Sequence, residues 1–302
     1  MLKPSPHSSL IVTRDGLVGQ VVGVPTPPGY LAIIPKYVEC KGPSPWSYKD
    51  RMLCRIIPSY GPEGLARVME ALPGRWRRDP LYGTLMPYVA DDEVLLFIHP
   101  RDALARLIAS TPVESAGVVE AVYEIVEESG VSAGELGLTG SHALGAPHSG
   151  SDIDLVVYGV EGVVKVYDYF RGIRRGPSRE VLEGLEVHPT LDISWRRSRV
   201  GGFRVTWVGA PIYWHCPPLS HYYRVEGPSH RYSIRACVEP GQTRALLYPP
   251  CVEAGDYWIV SYEYNLGGLF YEGGCFELRT MGTGDGVLYL GIREYPGLVR
   301  RL

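Results

Sequence analysis

The 302-residue chain is nearly devoid of side-chain amides: asparagine occurs once, at Asn265, and glutamine twice, at Gln20 and Gln242. Depletion of these thermolabile residues points to a thermophilic source. No apolar run approaches the roughly 18 residues that a membrane helix needs. The opening MLKPSPHSSLIVT, with one lysine, two prolines and no sustained apolar stretch, does not read as a signal peptide. A cytoplasmic protein is the expectation. An excess of either charge is also lacking: the formal net charge is −3. Any nucleic-acid contact must therefore rest on a local patch. No Cys-x-x-Cys occurs among Cys40, Cys54, Cys216, Cys237, Cys251 and Cys275, so neither a zinc ribbon nor a redox motif is indicated. Buried free thiols are expected, with disulfides the exception that thermophiles permit.

Glycine (36) and proline (26) are abundant, which implies many turns and short strands. The first hundred residues read as β-rich, with a hairpin over 17–34, a short helix near 62–72 and a strand at 94–98 before a helix at 101–109. From Val113 the period changes. Val118, Val119, Val122, Ile125 and Val126 recur at helical spacing with glutamates opposite, until Ser129-Gly130 ends the run. A strand at 136–139, a Gly-Ser turn, a strand at 152–158, a helix near 161–175 and a strand carrying Leu191–Trp195 follow. Beyond 205 the pattern is all-β. The fold class is thus α+β with three domains: a β-rich N-terminal domain at 1–111, a central domain of mixed sheet and helices at 112–204, and a C-terminal barrel or sandwich at 205–302.

The chemistry concentrates in the central segment. In LGLTGSHALGAPHSGSDIDLVVYG (136–159), Gly140-Ser141 follows a strand and opens a helix that Gly145 and Pro147 cut short. Such a turn brings backbone N–H groups and a hydroxyl toward an anion. With ten residues between, Ser141 is followed by Asp152 and Asp154, which strand alternation sends to one face. Two carboxylates there repel and raise each other's pKa unless a cation lies between them, and a divalent ion such as Mg²⁺ is the natural neutraliser. Asp192, flanked by Leu191 and Ile193, is the candidate third carboxylate. Its alternative is a buried acid paired with an arginine.

Thr139-Gly140-Ser141 and, with ten residues between Ser141 and Asp152, the run Ser151-Asp152-Ile153-Asp154-Leu155 resemble the signature of the polymerase-β-like nucleotidyltransferase superfamily. That pattern is an apolar residue, Gly-Ser, a short spacer and Asp-x-Asp in a strand, with a third acid on a later strand. Thr139 stands where the family has an apolar residue. The resemblance covers about residues 112–200. It implies transfer of a nucleoside monophosphate from an NTP, ATP among the candidates, to a hydroxyl, with two Mg²⁺ ions or Mn²⁺ in their place. Carried over residue by residue, it puts Gly140 and Ser141 on the nucleotide and Asp152, Asp154 and Asp192 on the metals; Ser151, just before Asp152, is a further candidate nucleotide contact by its position. The three-domain layout also resembles predicted archaeal nucleotidyltransferases, which supplies no acceptor; RNA is one candidate.

Simpler explanations stand beside these. Asp-x-Asp also occurs in calcium loops, but Leu155-Val156-Val157 offers no further oxygen ligands. Ser151 either contacts phosphate or serves the turn. His142 and His148 read as loop hydrogen-bonders and stay outside the site. Residues 165–204 carry nine basic groups, from Lys165 to Arg204, against five acidic ones, a patch suited to phosphates or to a solvated helix face over Arg171–Arg179. The competing class is a catalytically silent module that keeps the fold and binds RNA or a protein.

Overall fold

The computed structural model describes residues 6–59, 62–78, 85–110, 113–174, 182, 184–189, 191–217 and 230–302. The chain packs as two units, each assembled from separate stretches. The first takes Met1–Ile56, Val89–Gly176 and Trp195–Tyr213; the second takes Ile57–Tyr88, Pro177–Ser194 and Trp214–Leu302.

The first unit holds two sheets. One is antiparallel, in the order Trp46–Tyr48, Arg51–Arg55, Tyr30–Glu39, Val18–Val21, Leu10–Thr13, Val94–Ile98, and contains the hairpin expected over 17–34. The other runs Arg197–Val200, Phe203–Ala210, Ile153–Tyr158, Leu136–Thr139. Ile153–Tyr158 is parallel to Phe203–Ala210 and antiparallel to Leu136–Thr139. A parallel pair needs a crossover, which the helix Val160–Ile173 supplies. The domain boundary expected at 204/205 falls inside the strand Phe203–Ala210, so the central sheet extends past it.

Helix Ala116–Ser129 buries Val118, Val119, Val122 and Ile125 and ends where Gly130, at φ +69°, donates its N–H to the Val126 carbonyl at 3.0 Å. The same unit holds an aromatic core. Trp207 is fully buried, with Trp195 edge-on at 5.0 Å and Phe170 at 6.1 Å between ring centroids. Truncating a core ring of this kind costs about 3–5 kcal/mol, which fixes the strands that carry the site.

In the second unit one mixed sheet runs Glu186–Val187, Leu298–Arg301, Gly274–Gly282, Val287–Leu290, Tyr257–Ser261, Cys251–Ala254, with His230–Val238 paired to Gly274–Gly282. Its core joins Ile193, Leu266, Phe270, Phe276 and Leu278, with Phe270 and Phe276 edge-on at 5.6 Å.

Two expectations are corrected. The cysteines are not free thiols: they form Cys40–Cys54, Cys216–Cys251 and Cys237–Cys275. Sheet register does the pairing, most directly where Cys237 stands opposite Cys275 on adjacent strands. Nor is Leu191–Trp195 a strand. The segment is irregular, because Asp192 Oδ1 accepts from the Ser194 N–H at 2.9 Å and its hydroxyl at 2.8 Å, a local turn that competes with a ladder.

Candidate functional site

The Gly-Ser turn and the Asp-x-Asp strand are neighbours by register. Thr139, the last residue of its strand, pairs with Asp154. The chain then turns into the helix Gly140–Leu144, which stops at Gly145 in the left-handed region, φ +75°. Thr139 has a use that an apolar residue would not: its hydroxyl donates to the Ser8 carbonyl at 2.6 Å, tying the site strand to the N-terminal segment of the same unit.

Gly140 is required twice. Its φ is +67°, a conformation that costs residues with a Cβ about 1–2 kcal/mol. A Cβ there would also strike Asp154 Oδ2 and lie 3.1 Å from Asp154 Cγ. The glycine backbone is thus pressed against the Asp154 carboxylate. Burial pushes that carboxyl above its ordinary value; Lys36 and Arg196 pull it down, Asp152 pushes it up and Arg197 pulls it down, and burial dominates. A partly desolvated acid of this kind is stabilised in its charged form by a cation close to it.

Asp152, one residue before the strand, is half-exposed and takes an ion pair from Arg204, Nε to Oδ1 at 2.7 Å. Arg204 also donates to the Gly150 carbonyl at 3.3 Å, clipping the 145–151 loop to the parallel strand. Ser151 serves that loop. Its hydroxyl accepts from the His148 N–H at 2.9 Å and its own N–H donates to the His148 carbonyl at 2.9 Å. His148 meets Trp46 edge-on at 5.4 Å, and Trp46 meets Tyr37 at 5.4 Å, so the strands Trp46–Tyr48 and Tyr30–Glu39 brace the loop. The His142 pKa is lowered, first by burial and then by His148.

The structure therefore brings together Gly140, Ser141, Ser151, Asp152 and Asp154, with Ser141 buried in its helix. Asp192 belongs to the second unit, where its neighbour Ile193 is part of the core. The parallel strand beside Asp154 places Thr206 opposite it, and Phe203–Ala210 contains no acid. Of the basic patch, Arg196, Arg197 and Arg204 act on the two aspartates, while Arg175, Arg179, Glu180 and Glu183 lie outside the described residues. Lys36 was not anticipated. Its signal was there as an isolated cation in the apolar run Ile33-Ile34-Pro35-Lys36-Tyr37-Val38, but nothing local tied it to residue 154.

Residues 119–190 match the family model of a nucleotidyltransferase domain. The matched stretch contains Gly140, Ser141, Ser151, Asp152 and Asp154, and Asp192 lies two residues past its end. No curated protein and no solved structure matches the chain. The match supports the superfamily resemblance and, with it, a transferase acting on a nucleotide.

Proposed function

We propose that the chain is a metal-dependent nucleotidyltransferase that moves a nucleoside monophosphate from an NTP to a hydroxyl acceptor. The observation that carries this reading is the Gly140 backbone held at φ +67° against the half-buried Asp154 carboxylate. Such packing costs stability and is accounted for by a ligand that needs both groups at one place.

The donor set fits Mg²⁺: Asp152 and Asp154 are hard oxygen ligands on one end of a sheet, and Asp154 is held in an environment that disfavours its charge. When bound, such ions lower the barrier by neutralising charge on the phosphates and the attacking oxygen. Gly140 and Ser141 hold the triphosphate through backbone N–H groups and the hydroxyl, with Ser151 shaping the loop beside it. Lys36, Arg196 and Arg197 add positive field at the same end. In the reaction an acceptor oxygen bonds to the α-phosphorus, the bond to the β-phosphate bridge breaks, pyrophosphate leaves, and the hydroxyl proton passes to a base. The sequence assigns that base, and the third carboxylate, to Asp192. We carry the assignment as a proposal resting on sequence alone, together with the cytoplasmic setting and the three-domain division.

The test is incubation with α-labelled NTPs, Mg²⁺ or Mn²⁺ and hydroxyl acceptors, RNA among them. Label transfer by the wild-type chain and its loss in D154N is the expected result. No transfer, and no rise in Tm on adding Mg²⁺–NTP, refutes the reading.

A second reading, a silent module of the same fold, draws on the Asp152–Arg204 ion pair and the acid-free strand Phe203–Ala210. It expects salt-dependent RNA binding that survives D154A.

A further inference from the structure

The pair Cys216–Cys251 has a third partner. Both cysteines are buried, and His215 lies against them: its Nε2 is 3.6 Å from Cys216 Sγ, and one ring nitrogen and both sulfurs fall within 4.8 Å of one another. Among the described residues no other His, Cys, Asp or Glu cluster is as close. The Pro249 carbonyl sits beside it, 2.9 Å from His215 Nε2 and 3.5 Å from Cys216 Sγ. His215 Nδ1 is shut off from solvent with no hydrogen-bond partner. Burial lowers the ring's pKa to about 4, so the imidazole is neutral at physiological pH. Its Nε2 carries the proton donated to the Pro249 carbonyl, and ligation through Nε2 needs the other neutral tautomer, in which that proton sits on Nδ1.

We propose that, once the Cys216–Cys251 disulfide is reduced, His215, Cys216 and Cys251 bind a thiophilic divalent ion of the Zn²⁺ class. A tetrahedral zinc site with Zn–N near 2.05 Å and Zn–S near 2.3 Å sets nitrogen and sulfur ligands about 3.6 Å apart. That is the separation of His215 Nε2 and Cys216 Sγ. The same geometry holds two thiolates about 3.8 Å apart, so the disulfide and the ion exclude each other. Each closes the same 35-residue separation along the chain. The balance is simple. A phosphine reductant supplies two electrons and takes up a water oxygen, the S–S bond breaks, and two thiols form; the ion then displaces their two protons. Two sulfurs and an imidazole select a soft or borderline ion over Mg²⁺, and the fourth position is left to water.

The experiment treats the full chain anaerobically with a phosphine, equilibrates it with Zn²⁺, desalts it and measures retained zinc against an unreduced sample. Reduced wild-type protein is expected to keep about one more ion per chain than the unreduced protein. H215A and C216S are expected to fall to the unreduced level, and the C237S/C275S double variant to keep the ion. Cobalt(II) in place of zinc gives a thiolate charge-transfer absorption, which reports sulfur ligation even where a cysteine variant fails to fold. Equal zinc in reduced and unreduced wild type, or full retention by H215A, overturns the proposal. So does a reduced, cobalt-loaded wild type without the charge-transfer band.

Discussion

Gly140→Ala tests the close approach on which the site is built, and Gly145→Ala is its internal control. Both glycines have positive φ, +67° and +75°, and they stand at opposite ends of the same short helix, Gly140 opening it and Gly145 ending it. They differ in surroundings: a Cβ at 145 meets nothing within 4 Å, whereas one at 140 meets Asp154 Oδ2, with Cγ at 3.1 Å and Cβ at 3.2 Å. G145A therefore carries the left-handed strain alone, about 1–2 kcal/mol. G140A carries that strain plus overpacking of about 1–3 kcal/mol, since Asp154 is pinned in register with Thr139 and cannot slide away. The expected total is roughly 2–5 kcal/mol. Urea unfolding of the two variants reads the difference, and D154A in each background completes a cycle: the aspartate truncation should recover the overpacking part in G140A and none of it in G145A. Equal destabilisation of G140A and G145A, or no coupling to D154A, would mean that the carboxylate does not sit where the structure puts it.

The Asp154 carboxyl has a raised pKa, so the folded state keeps a proton that the unfolded chain releases between the ordinary carboxyl value and the raised one; stability should fall as pH climbs through that window. D154N should flatten that dependence and be more stable than wild type at pH 7, with the gap closing below about pH 4. Paired melting curves across pH check it, and a D154N that is less stable at pH 7 contradicts the burial argument. Arg204→Ala should change stability by no more than about 1 kcal/mol, because exposed ion pairs contribute little. It should lower the Mg²⁺ concentration at which Mg²⁺–NTP raises Tm, since Asp152 loses its competing cation; a higher Mg²⁺ requirement contradicts this. Removing the Cys237–Cys275 bridge by paired alanine substitution should cost about 2–4 kcal/mol in urea unfolding, and an unchanged midpoint would mean the bridge is absent in solution.

What the sequence made legible was local. The helices at 116–129 and 160–173, the strands at 136–139 and 153–158 and the five-residue helix after the Gly-Ser turn follow from apolar period, caps and breakers within a few residues. The approach of Gly140 to Asp154 was legible in kind, because order and spacing put the turn beside the strand. What stayed hidden depended on partners distant in the chain. Lys36 acts on Asp154 from a strand more than a hundred residues earlier, and Cys237 finds Cys275 only through register. Leu191–Trp195 misled because its alternation imitates a strand, while the Asp192–Ser194 hydrogen bonds hold a turn.

The pair of aspartates is best understood by asking which of its features a merely structural site would keep. Arg204 on Asp152 is consistent with a structural site at little energetic cost, since it clips a loop and neutralises a charge. The burial of Asp154 is not: an apolar or amide side chain there would avoid the desolvation cost, and a residue other than glycine at 140 would avoid a left-handed turn. The sheet thus keeps one acid that folding alone can explain and one that it cannot. Function is therefore to be sought at Asp154, and a variant that gains stability while losing nucleotide-dependent stabilisation is the signature that separates the two roles.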